Sequence, residues 1–541
     1  MVVSDPLFEV PRRFRHYFKE RGQKPSTSEV LSAPAQTSAG LDPYDQPLTR
    51  REAAHLFRRI AFGGSTAQVE AVAGRLAPEA VHQIVQEGIQ SPMPAPPSWH
   101  QDWPPWGESD RVKQAYFDKQ FSWAAELSAV WLKQKVENGL RDRMTLFWHD
   151  HFATERATYF YAILAHKHLT TLRKYALGNF RDFVVAVGID PAMLIYLDGR
   201  LSTRQNPNEN YARELVELFT MGQFDKHGNP NYTQDDIVEL SRALTGYQVD
   251  YRFFRAHLTQ SLRDATNKTI FGRTERFDFG GAHLVLFEER APQIADFMAR
   301  KLYREFVYIT PHEAVVEQLA QCFLDNNFEI APVLEALFSS RHFYSEEVIG
   351  AQIKSPAAMF VGILRAFGQG VPPRSGLNSI RYGMKRLSQD IFDPPSVAGW
   401  PGYRSWISTS SLPERWSQLS KLLQPIQFGI FNLNGVKLAR ELVDENDDMA
   451  VFKVPVAIAE RLLAVPLEDI SIDAPPEFAG DLITHPIPDE IQNGPSYVLD
   501  LTRIFLRGFP WYSWSLSRQG IAYQTMEYIR WIAGLPEYQL N

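Results

Sequence analysis

Two stretches of this chain carry polar side chains where a helix should be apolar, and both hold residue types able to bind a metal or move a proton. In MTLFWHDHFATE, Met144, Phe147, Trp148 and His151 share a face by three-and-four spacing, while His149 points about 160° away. On a continuous helix the two histidines cannot chelate one ion. They converge only if the helix ends between them, which the switch to Ala153 and Thr154 permits. His151 is then either a core histidine hydrogen-bonded to a buried acid, or a metal ligand or general base.

The second stretch is NPNENYARELVELFTMG, followed closely by YTQDDIVELSRALTGY. Tyr211, Leu215, Leu218 and Gly222 define one helical face, Glu214 lies on its flank, and Glu209, Arg213 and Glu217 climb the other sides. Glu209 and Arg213 are four apart, as are Arg213 and Glu217, so a surface ladder of ion pairs accounts for two of the glutamates. Glu209 can also close a capping box on Asn206, with Pro207 in the first turn and Gly222 as terminator. Glu214 has no such explanation. A carboxylate at the edge of an apolar stripe needs a partner, either Arg141, Arg143 or Arg242 from a neighbouring helix, or a metal held jointly with His149 or His151.

Two functional readings follow. As an enzyme, the chain would gather His149, His151, Glu214 and Glu217 around a divalent metal inside a helical bundle. The metal would activate water against an oxygen-rich substrate, with Arg213 or Arg242 steadying the developing charge and Glu209 as a further catalytic residue. As a binding or scaffold protein, the same polar set would be a buried hydrogen-bonded network. Trp148, Trp103, Trp400 and Trp406 would then be the binding residues of a docking surface. Familiar signatures are missing: no phosphate-cradling Gly-rich loop, no H-E-x-x-H, no G-x-S-x-G elbow, and no Glu-x-x-His spacing of a di-iron centre. His257, His283 and His342 are available, but their spacing nominates none of them.

The elements that must position these residues are mainly helical, in a large multi-helix body with long Pro/Trp-rich loops and few strands. Residues 1–46 read as a basic arm and linker, 47–425 as the helical core, and 426–541 as a C-terminal region packed on it. Arg12, Arg13, Arg15, Lys19 and Arg21 interleave with Phe14, Tyr17 and Phe18, a pattern open to a basic amphipathic turn or a solvated arm. Helices are predicted over 48–62, 66–88, 292–308, 312–325, 330–339 and 355–367, and three more between Arg111 and Gly188. Asp190 is predicted to cap a helix opened by Pro191, and Thr233 to start another that stops at Gly246. The prolines of SPMPAPPSWHQDWPPWGESD forbid a helix, so Trp99, Trp103 and Trp106 sit on a loop that is either pinned to the core or a lid. The run from Ile391 to Trp416 is a second Pro/Gly turn region, read as an aromatic clamp or a carbohydrate platform. Residues 429–495 nominate no site.

Composition narrows the classes further. A net charge of −7 gives no general nucleic-acid binding. The single cysteine, Cys322, excludes an intramolecular disulfide and a cysteine-based metal cluster. No export signal is visible and no segment approaches the ~20 apolar residues of a membrane span.

LRDRMTLFWHDHFAT, ALGNFRDF, DPAMLIYLDG, NPNENYARELVELFTMG, DIVELSRALTGY, PPSVAGWPGYRSWI and LPEYQ, in that order, resemble the bacterial family called domain of unknown function 1800. The likeness runs from about Leu48 to the C-terminus. It implies no established activity. It does imply frequent export, and a partner resembling sulfatases and alkaline phosphatases, the family called domain of unknown function 1501. The chain departs from the family pattern at His257-Leu258, where a His-Asp pair and a Gly-x-Lys element are usual, and in lacking a visible export signal.

Overall fold

The computed structural model describes residues 40–424, 431, 433–472 and 486–541. The basic arm around Arg12 to Arg21 lies outside the described residues, as do most of the linker and parts of 429–495. The described residues hold 23 α-helices and two short antiparallel hairpins, Tyr247–Asp250 with Arg255–Leu258 and Lys268–Ile270 with Arg273–Glu275. Helix therefore decides the architecture, and the protein is mainly α.

Local chemistry starts and stops the helices as residue types dictate. Thr49 and Glu52 form a reciprocal capping box at Arg50–Ala61, Asp190 caps Pro191–Tyr196, and Thr233 with Asp236 boxes Gln234–Ala243. Two predicted spans are corrected. The helix expected over 66–88 is two, Thr66–Val72 and Ala77–Gln90, because Gly74 takes a left-handed φ of 82° that no helix interior holds. The three helices expected between Arg111 and Gly188 are five: Asp110–Glu137, Leu140–His151, Arg156–Tyr159, Ala162–Tyr175 and Phe180–Gly188. The extra breaks fall at Gly139 and at Phe160, which sits at φ 61°.

Leu140–His151 runs through the centre of the body, buried at every position except Arg141 and Asp150. Near its start, Asp142 is wholly buried and accepts both Nε and Nη2 of Arg173 at 3.1 Å, which ties this helix to Ala162–Tyr175. Removing one partner of such a pair costs about 3–5 kcal/mol, because the other charge is left buried. One turn before its end, Trp148 donates Nε1–H to Ala176 O at 2.9 Å and packs its ring against Phe152, Phe180 and Phe183 at 5.1–5.8 Å. Burying a ring of that size contributes about 2–3 kcal/mol. Ala291–Phe306 brings Lys301, Arg304 and Glu305 together by three-and-four spacing, and the run beyond Leu387, which holds no α-helix before Ser411, carries Trp400 and Trp406.

Candidate functional site

The HDH triplet ends the central helix, and successive residues turn by about 100°, so its three polar side chains must find three different neighbours. His149 Nε2 accepts the backbone N–H of Phe392 at 3.2 Å. Asp150 Oδ1 accepts the backbone N–H of Trp400 at 2.6 Å. His151 lies between the carbonyl of Phe219, at 3.0 Å from Nε2, and the ammonium of Lys301, at 2.9 Å from Nδ1. Its tautomer follows: Nε2–H donates to the carbonyl and Nδ1 accepts from Lys301, so the ring is neutral, and burial with Lys301 beside it holds its pKa well below normal.

Two residues of the helix thus fasten one loop. The loop can approach because residue 399 is glycine: it adopts φ 80°, and a Cβ there would strike the Asp150 carboxylate and carbonyl. Gly402 turns the chain again at φ 68° and leads into the 3₁₀ turn Tyr403–Trp406.

The result is a cleft of about 370 Å³ walled by Asp150, His151, Lys301, Trp400 and Trp406, with Arg143 and Glu305 ion-paired on its edge. Burial, reinforced by Glu305, pushes the Asp150 carboxyl up to about 7, against the lowering effect of the Trp400 N–H. Burial also pushes Lys301 down to about 8, with Asp150 opposing and Arg304 assisting. No ion pair joins Asp150 directly to Lys301 among the described residues. The two groups both line the cleft, each sensing the other's charge.

The predicted site residues divide. His151, Trp400 and Trp406 line this cleft. His149 stands behind it, buried against Trp131, Trp400 and Phe392, and fixes the loop. Trp148, expected to bind ligand, is a fully buried core ring and reaches none. Trp103 packs elsewhere, edge-on to Phe253 and under Lys167.

Glu209, Arg213, Glu214 and Glu217 lie on Glu209–Glu217, a helix capped by Asn208 rather than Asn206, so Pro207 precedes it and Glu209 is its first residue. Glu209 pairs with Arg213 at 3.2 Å, as the four-residue spacing predicts. Glu217 takes the hydroxyl of Tyr232 at 2.8 Å instead of Arg213. Glu214 meets none of its expected partners: Arg141 donates to Ser91 O, Arg143 pairs with Glu305, and Arg242 is held by Glu239 and Asp264. Burial and then Glu217 raise the Glu214 carboxyl.

Among the described residues no three His, Cys, Asp or Glu side chains are placed to share a metal, so His149, His151, Glu214 and Glu217 are not brought together as a ligand set. His151 could not serve without releasing Lys301 or the Phe219 carbonyl.

Sequence reasoning missed Asp150 and Lys301. Asp150 had a signal: an anion in the last helical turn opposes the helix dipole and needs a donor from elsewhere. Lys301, in ARKLYREF, had none, since its neighbour is 150 residues away.

Nearly all the elements that build the cleft fall within one sequence family. The sequence model described as "Protein of unknown function (DUF1800)" matches residues 55–539. The chain belongs to this family. No curated protein and no solved structure matches it. The DUF1800 match contains the HDH helix, Lys301 and the Gly399-Trp400 loop together. Among the described residues no helix is long and apolar enough to cross a membrane.

Proposed function

We propose that this DUF1800 protein is an enzyme of hydrolytic type whose reaction centre is the Asp150–Lys301 cleft. The observation that carries this reading is a carboxyl and an ammonium, each displaced toward neutrality, facing one cavity without saturating each other. Between about pH 7 and 8 Asp150 is the proton acceptor and Lys301 the proton donor, the states a general base and general acid require.

In this scheme Asp150 draws a proton from a water or hydroxyl attacking an oxygen-rich substrate. Lys301 neutralises the charge that develops on the attacked group and returns a proton to the leaving oxygen. His151, locked by the Phe219 carbonyl, aims the Lys301 ammonium, as a third group orients the base in nucleophile–base pairs. The Trp400 N–H keeps the Asp150 carboxylate on the cleft wall.

A screen of nitrophenyl esters, glycosides and phosphates tests this reading. Turnover by the wild type that disappears in Asp150→Asn and in Lys301→Met, both still folded by circular dichroism, supports it. Turnover unaffected by either change defeats it.

A second reading keeps a binding role, favoured by the exposure of Phe121 and Trp106 at 64% and 62%. Phe121 and Phe117 both pack against Phe160, which makes a continuous aromatic face. Such a face suits a protein partner, and the sulfatase- and phosphatase-like family of domain of unknown function 1501 is the candidate. Failure of the two to co-purify would remove this reading, and co-purification that survives Phe121→Glu would move the docking face away from Phe121.

A further inference from the structure

The cleft carries more positive charge than its own carboxylates neutralise. Arg59 and Arg304 also line it, and neither has a carboxylate within ion-pair distance among the described residues. Arg59 is the more telling. It is 2% exposed, donates one side-chain hydrogen bond, from Nη2 to Val348 O at 2.8 Å, and has a buried Nε with no partner.

The buried Arg365 is treated differently. It donates from Nε and Nη1 to the carbonyls of Gly63, Val136 and Asn138. That guanidinium is spread over peptide oxygens and acts as a cross-link. Arg59 is not, and it also sits close to Arg143, whose charge adds to burial in lowering its pKa to about 9. A desolvated cation that the protein leaves partly unbonded is costly unless something else completes it. Arg304 adds a second charge whose guanidinium makes no hydrogen bond among the described residues. Trp400 and Trp406 contribute flat apolar surface to the same cavity.

We infer that the cleft takes a ligand bearing an anionic group, a phosphate, sulfate or carboxylate, with Arg59 and Arg304 as its counter-charges and a ring of the ligand lying on the Trp400–Trp406 wall. This inference rests on the reading of the cleft as the reaction site and specifies the substrate class. The guanidinium forks suit oxyanions, and an anion would complete the hydrogen bonding of Arg59. Arg59 and Arg304 would bind ligand, while Asp150 and Lys301 act on it.

Calorimetric titration of the full chain with phenyl phosphate, phenyl sulfate, phenylacetate and neutral phenyl β-glucoside tests the inference and separates the three anion types. At least one anion should bind, the glucoside should bind more than tenfold more weakly, and added salt should weaken only the anions. Arg304→Gln, an exposed change, should weaken the anion about tenfold, the effect of losing one charged hydrogen bond. Arg59→Met should weaken it further, and Arg59→Lys should recover part of the loss. If Arg59→Met fails to fold, Arg304→Gln still decides. Equal binding of the glucoside, no binding of any anion, or unchanged affinity in Arg304→Gln would overturn the inference. Asp150→Asn separates the two claims, since it removes a carboxylate and should leave anion binding equal or tighter while turnover is lost. Turnover that survives Asp150→Asn beside Arg304-dependent binding defeats the catalytic reading and keeps the anion site. Loss of turnover beside Arg304-independent binding defeats the anion site alone.

Discussion

The Glu209–Glu217 helix and the end of Leu140–His151 both set ionisable groups beside an apolar face, yet they deal with the charge in opposite ways. On the first, Glu209 finds Arg213 four residues along the same helix, and Glu217 finds Tyr232 fifteen residues on. On the second, Asp150 reaches the amide of Trp400, 250 residues away, and His151 reaches Lys301, 150 away. The charges of Glu209 and Arg213, balanced locally, stay partly exposed at the surface. Charges that depend on distant segments are desolvated by those segments, which is why Asp150 and Lys301 are displaced toward neutral pH while no comparable pair forms around Glu214. In this fold, the two shifted groups of the cleft have partners far apart in sequence, whereas the carboxylate-rich helix has its partners close by.

The largest test of that contrast is catalytic. Asp150→Asn should lower turnover of any substrate found by about a hundredfold to ten-thousandfold, the range for losing a general base, whereas Glu214→Gln should leave it within about twofold. A comparable loss from Glu214→Gln would reverse the ranking of the two regions.

Next in size is the loop that makes the cleft. Gly399→Ala combines a left-handed φ with a collision against Asp150, so it should destabilise the fold by about 1–3 kcal/mol in urea unfolding. Gly74→Ala, at φ 82° with open space around it, should cost less, and equal losses would show that strain alone, without the Asp150 contact, governs both.

The third test is the pH response. The folded chain holds the Asp150 proton more tightly than the unfolded chain does, so this carboxyl contributes stability at acid pH that is lost as pH climbs through about 7. Lys301 holds its proton less tightly when folded. Its contribution is present above the ordinary lysine value and is lost as pH falls through about 8. Chemical denaturation from pH 4 to 7 should therefore favour Asp150→Asn progressively over the wild type, and a constant difference would contradict the assignment. Acetic anhydride labelling read by mass spectrometry should find Lys301 reactive from about pH 8, and Asp150→Asn should move its midpoint downward, because the carboxylate supports the ammonium.

Smaller effects are expected on the other helix. Arg213→Met should change stability by no more than about 0.5 kcal/mol, as an exposed ion pair contributes little. The metal content of the purified protein should be the same in Glu214→Gln as in the wild type, measured by plasma mass spectrometry, and a fall to zero in the variant would restore the shared metal site.

Much of this arrangement was legible in the sequence. The helical class, the caps at Asp190 and Thr233 and the Glu209–Arg213 pair are all set by short-range chemistry: periodicity, side-chain caps and four-residue spacing. HDH and the GWPGYRSW run were each marked as unusual, and both build the cleft. Their pairing was not legible, because nothing in either segment encodes the other.

The sequence alone determined the helical class, the caps at Asp190 and Thr233, and that His151 and Glu214 need partners. Only the tertiary structure decided who those partners are. It gave His151 to Lys301, left Glu214 without its expected arginines, kept His149, His151, Glu214 and Glu217 from sharing one ligand set, and set Asp150 and Lys301 on one cleft. The physical reason is range. Helix propensity and capping act over one or two turns, whereas desolvation and charge pairing depend on which distant segments arrive at the same point. The pKa displacements of Asp150 and Lys301 arise only after they do.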